Sequence, residues 1–197
     1  MLDQPLLLHR LEQIAAMLAL GAGVAIAILA VLISVDIFGR EVLAVSIQGT
    51  DEIGGYVLAF VGSLGMSLTL LRRGHPRIDL FFRFFPKTVQ DMLHVLAQAT
   101  MAGFAIFLAW HALGEFRETL RFGSITNTPL QTPLWIPQVV WVAGMGFFAL
   151  TACVTTAHAL LLLLTKQAAV SRVYGPPTVD EEVGHYVDME RTEDARD

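Results

Sequence analysis

Two histidines are the polar residues best placed to do chemistry within the apolar parts of this sequence. His94 and His158 each lie about six residues, roughly 9 Å at helical rise, from the same end of a long hydrophobic stretch, and so share a depth. A histidine pair at one depth on two helices would hold a haem between them. The competing reading is a hydrogen-bonded histidine, helped by Gln98 one turn from His94. His111, near the opposite end, reads as interfacial. The hydrophobic stretches otherwise hold no Asp, Glu, Lys or Arg in their central turns. A proton-coupled antiporter needs such a group, because a proton crosses a low-dielectric layer on an ionisable side chain. Central prolines and internal repeats, which mark the broken helices of many transporters, are missing too. Cys153 is the single cysteine and sits in mid-stretch, so it forms no disulfide within the chain and belongs to no metal spacing. Glycines make no P-loop pattern, and no nucleophile and base are placed in a dry concave site. These residues point away from an enzyme and from a transporter that works alone.

Four apolar stretches must position these groups, at about 14–35, 53–71, 92–113 and 139–164. Each reaches the length of about 20 residues that crosses a hydrocarbon core of about 30 Å. The chain has 197 residues, 54% of them hydrophobic, and a mean hydropathy of +0.58, too apolar for an ordinary soluble domain. The expected fold is an all-α integral membrane protein with four transmembrane helices. The first stretch is longer than a signal's apolar region, and Asp36 and Arg40 stand where a small-residue cleavage site would be, so it reads as a retained span.

Orientation follows from Arg72, Arg73, Arg77, Arg83 and Lys87, which face only Asp79 in the connection between the second and third stretches. A positive excess in a short loop places that loop on the cytoplasmic side. Alternation then puts both termini in the cytoplasm, and Arg10, Lys166 and Arg172 fall on that side as well. The outward connections are 36–52 and 114–138. Neither is a plain loop. Leu113, Phe116 and Leu120 recur at helical spacing between charged residues, which predicts that the third helix continues as an amphipathic segment. Residues 36–52 read similarly, although Gly39 and Gly49 weaken a helix there. On the inner side, 78–85 is too apolar for water and too short to span, so it is expected in the interface up to Pro86. A compact bundle with interfacial flaps is the implied shape.

Small residues form columns at steps of four: Ala15, Ala19, Gly23 and Ala27 in the first span, and Gly55, Ala59, Ser63 and Ser67 in the second. Close backbone approach over such residues is a main route to helix packing in lipid. They are expected to pack within the bundle or to form a contact face for another membrane protein. The transmembrane domain is expected to cover 1–172. Residues 173–197 hold eight acids against Arg191 and Arg196, a net −6 that leaves about +1 on the rest of the chain. Such a tail cannot bury enough apolar surface to fold alone. No basic patch on a soluble domain suggests nucleic-acid binding.

The order of several short strings gives the sequence a resemblance. Asp36-Ile-Phe-Gly-Arg40 is followed by Asp51-Glu52-Ile-Gly-Gly-Tyr56 at the entry to the second span. That span ends in Leu-Arg72-Arg73-Gly74-His75-Pro-Arg77-Ile-Asp79-Leu. Thr-Pro129-Leu-Gln-Thr-Pro133-Leu-Trp135-Ile-Pro137 then leads into a fourth span bearing Gly144 and Gly146. Over about 14–165 the chain resembles the small membrane subunit of tripartite ATP-independent periplasmic (TRAP) transporters. The resemblance implies a bacterial inner-membrane protein that pairs with a much larger permease subunit, which would hold the substrate and sodium sites. A soluble periplasmic receptor would deliver the substrate, usually an organic acid, so this chain itself would bind neither substrate nor cofactor. The arginines would reach lipid phosphates, with Asp79 pairing one of them. An ion pair between Glu52 and Arg40 would tie the first connection to the second span. Trp135, between Pro133 and Pro137, would be an aromatic anchor at the outer interface. A haem-bearing electron-transfer subunit built on His94 and His158, and a stand-alone homodimeric transporter, remain the alternatives on the residues alone.

Overall fold

The structure is a computed structural model that describes residues 6–74, 85–165 and 170–174. Five α-helices account for its regular structure: α1 (Leu6–Leu43), α2 (Thr50–Leu71), α3 (Lys87–Phe122), α4 (Trp135–Thr165) and the short α5 (Val170–Tyr174). The first four are each long and apolar enough to cross a membrane. His75, Arg77, Asp79, the rest of the 78–85 stretch apart from Phe85, and the tail beyond Tyr174 lie outside the described residues.

The helices exceed the spans expected from hydropathy. α1 has 38 residues and α3 has 36, about 57 and 54 Å at helical rise, against about 45 Å for a bilayer with its headgroups. α3 runs to Phe122 and stops at Gly123, whose φ of 59° suits glycine and whose N–H donates to the Thr119 carbonyl. α1 passes through Gly39 and stops at Leu43, where Ala44 takes a left-handed φ of 53°.

The expected compact bundle is replaced by a more open arrangement. α1 packs on α2, α2 on α4, and α4 on α3, so the helices form a row in the order α1, α2, α4, α3. α1, at one edge, is the least covered: 6% of its most apolar window is buried, against 28% for α4. One end of the row carries the connections 44–49 and 123–134; we call it the hairpin end. The other carries Arg72, Arg73 and α5, and is the arginine end.

The seams follow sevens. Leu8, Ala15, Ala22, Leu29 and Asp36 are buried along α1, and Gln98, Ala105, Ala112 and Thr119 along α3. α4 buries Gly144 with Thr151, Phe148 with Thr155, and Met145 with Ala152 and Ala159. At 3.6 residues per turn a step of seven lags by about 20°, while a step of four runs ahead by about 40°. A column of fours therefore leaves the interface after two steps. In α1, Ala15 is buried, Ala19 half-buried, and Gly23 and Ala27 exposed. In α2, Gly55 and Ala59 are exposed, whereas Ser63 and Ser67 are buried. A Cβ at Gly23 or Gly55 would meet nothing within 4 Å. The close approach falls instead where α2 meets α4: a Cβ on Gly144 would lie 2.7 Å from the Ser63 Oγ and 3.1 Å from its main-chain carbon. Leu70, Ala102, Ala105, Phe148 and Ala152 pack into the core beside this seam.

Candidate functional site at the hairpin end

Asp36 and Glu52 are the carboxylates buried among the described residues, 1% and 7% exposed, and both lie at the hairpin end. Asp36 closes the α1 seam. Arg40, one turn later on the same face, pairs with its Oδ2 through both Nε and Nη2. Its Oδ1 accepts the Ile47 N–H at 2.6 Å, which draws the 44–49 connection back over the helix end. Gly39 permits that return, because a Cβ there would stand 3.0 Å from the Val45 carbonyl oxygen. The string 36–40 thus has a physical reading: an acceptor for the returning chain, a gap for its backbone, and a cation that satisfies the acid.

Glu52 holds the other connection. Residues 124–134 fold back on themselves through the Thr126 N–H to Thr132 carbonyl bond, at 3.0 Å, and the Leu134 N–H to Ser124 carbonyl bond, at 3.1 Å. An isolated bridge pairs Ile125 with Pro133. Thr126 and Thr128, two apart, both turn their hydroxyls to Glu52. Thr126 donates to Oε1 at 2.9 Å, Thr128 donates to Oε2, and Tyr56, one turn along α2, donates to Oε1 at 2.5 Å. Three residues of two separate segments so converge on a single carboxylate. Gly49, with φ 87°, lies directly under Leu130 of the same hairpin: its Cβ would fall 2.2 Å from Leu130 Cδ1.

This arrangement replaces the expected Glu52–Arg40 ion pair. Arg40 reaches Asp36 within one helical turn, and Glu52 is saturated by hydroxyls from the hairpin. Trp135 opens α4 and is about half exposed, Pro137 is buried in its first turn, and Pro133 is exposed on the hairpin. Carboxylate oxygens taken up by hydroxyl and backbone donors fix loops in place. Among the described residues no group of three or more His, Cys, Asp or Glu is gathered as a metal site would need.

At the arginine end, α2 stops in a paired cap: Gly74 N–H donates to the Thr69 carbonyl at 2.8 Å and Arg73 N–H to the Leu70 carbonyl at 3.2 Å. The left-handed position belongs to Arg73, with φ 56°, and not to the glycine that follows it. Arg72 reaches Glu12 of α1 at 3.5 Å, an exposed pair. His94 is buried on α3. His158 shares a 2.7 Å hydrogen bond between its Nδ1 and the Tyr174 hydroxyl of α5, with the rings edge to face. Burial raises the Tyr174 phenol above its ordinary pKa, so the hydroxyl keeps its proton. Packing against α3 and α4 thus reaches Tyr174.

Thr126, Thr128 and Tyr174 carry site contacts that the sequence reading passed over. For the threonines a signal existed: their spacing of two puts both side chains on one side of an extended strand. Tyr174 had none, since it stands beside Gly175-Pro176-Pro177 at the start of an acidic tail.

Comparison with curated proteins and with solved structures gave no match. A family model does match: that of tripartite ATP-independent periplasmic transporters, DctQ component, over residues 29–162, more than half of the chain.

Proposed function

Because the chain belongs to the family of DctQ components of tripartite ATP-independent periplasmic transporters, we propose that it scaffolds the large permease subunit for sodium-coupled, receptor-dependent uptake of a small organic acid. Members of this family are transporter components, and the small subunit works with a large permease and a periplasmic binding protein. In this reading the hairpin end faces the periplasm and the arginine end the cytoplasm, as the basic residues of 72–87 require. The protein sits in the bacterial inner membrane, and sodium and substrate bind the larger partner.

One observation carries the scaffold role. The buried carboxylates, Asp36 and Glu52, have their oxygens occupied by donors from their own helices and from the two connections at one end of the row. A chain that coupled ion and solute movement by itself would present such groups to a pathway. The open row supports the same reading, since it leaves broad apolar helix faces for lipid or for a partner subunit. The haem alternative gains nothing from the family, and one nitrogen of His158 is engaged by Tyr174.

The test is affinity purification of the tagged chain from native membranes in mild detergent, with mass spectrometry of what accompanies it. A much larger polytopic protein in fixed ratio is the expected result. A stable homo-oligomer without a large partner, across several detergents, would overturn the proposal.

A further inference from the structure

α5 is only five residues long, yet two of its residues are among the best buried of those described. Val170 is 1% exposed and Tyr174 7%, and with Ala159 of α4 they form an apolar cluster completed by Val95 of α3 and by Leu162 and Leu163 of α4. On its other side α5 faces α1 and α2. Val173 and Tyr174 line a cavity of about 20 Å³ with Leu8 and Glu12 of α1, Leu70, Leu71 and Arg73 of α2, and Thr155 of α4. In a row ordered α1, α2, α4, α3, each edge helix packs chiefly on its neighbour in the row. α5 packs on α3 and α4 at the arginine end and shares this small cavity with α1 and α2. A polar tie between it and the row is the 2.7 Å bond from Tyr174 to His158.

We propose that α5 is a latch that closes the small cavity at the arginine end of the helix row, with the Tyr174–His158 contact as its catch. Release of the catch opens the cavity behind it to solvent, while the hairpin end stays fixed by Asp36 and Glu52. Local opening of this kind draws on few contacts and leaves the rest of the fold intact. The inference does not depend on the scaffold role, and its test needs no partner subunit to be identified.

The experiment measures maleimide labelling of full-length chain in membranes opened to reagent on both faces, in a Cys153→Ser background. One reporter, Thr155→Cys, lies behind the latch at a position 2% exposed; the other, Thr119→Cys, sits at the hairpin end at a position 7% exposed. Adding Tyr174→Ala is expected to raise the labelling rate at 155 by about tenfold or more and to leave the rate at 119 unchanged. Tyr174→Phe keeps the ring and removes only the catch, so it gives a smaller rise at 155 alone. It also carries the test if the alanine variant does not accumulate. Equal rises at both reporters would make α5 an ordinary part of global stability, and no rise at 155 would mean it closes nothing. Either result overturns the proposal.

Discussion

The hairpin end and the arginine end of this molecule are closed by opposite chemistry. At the hairpin end two buried carboxylates hold two connections through backbone and hydroxyl donors, with Leu130 packed over Gly49. At the arginine end an apolar segment packs against α3 and α4, with a histidine–tyrosine bond beside it. Hydrogen bonds to a buried charge are directional and costly to leave unmade, so they specify one loop conformation. Apolar packing is less directional, so a short helix held mainly by it is easier to lift away as a unit. The difference teaches that the hairpin end is built to stay in shape and the arginine end to permit motion.

Substitutions can break that contrast, and the largest effect is expected at Glu52. Glu52→Leu leaves the hydroxyls of Tyr56, Thr126 and Thr128 without their acceptor, and should lower the melting temperature in detergent by about 10 °C. Glu52→Gln keeps an acceptor oxygen and should recover part of this loss. Next comes the seam that joins the two ends. Gly144→Leu drives a side chain into Ser63 and its backbone, and should cost about 2 kcal/mol, or about 6 °C, by the same thermal unfolding measurement. At the arginine end Tyr174→Phe removes one hydrogen bond and keeps the ring, for about 1 kcal/mol. A loss there equal to that of Glu52→Leu would erase the distinction between the ends. The smallest effect belongs to Gly23→Leu, on a face with nothing within 4 Å: stability should stay within about 0.5 kcal/mol. Recovery of a large partner in affinity purification then sharpens the picture, since a fall with stability unchanged would mark that face as a subunit contact.

The four long helices were legible because about 20 consecutive apolar residues leave few other options. The amphipathic extension of α3 was legible as well, from Leu113, Phe116 and Leu120, although the residues it buries there are Ala112 and Thr119. The packing seams were harder to see. In a soluble helix the buried face stands out against polar residues, but here the outward residues are apolar too, and small residues at fours suggested a face that the helix turns away from its neighbour. Glu52 was legible as important and not in its partner, because Thr126 and Thr128 reach it from more than seventy residues away. Asp36 with Arg40, four apart in one helix, could have been paired from spacing alone. α5 left no trace in hydropathy. Five residues beside a proline-rich acidic stretch carry too little pattern, and the burial of Val170 and Tyr174 depends on side chains of α3 and α4 that hydropathy does not place beside them.

The measurement closest to the central claim is sodium-dependent solute uptake by proteoliposomes holding this chain together with its large partner, compared for wild type and Glu52→Gln. If Glu52 is a structural clasp in a scaffold, the variant yields less assembled complex, and each assembled complex keeps the wild-type dependence on sodium concentration. A complex that assembles in full but takes up solute with a shifted or abolished sodium dependence would contradict the account, and would place part of the coupling machinery on this chain.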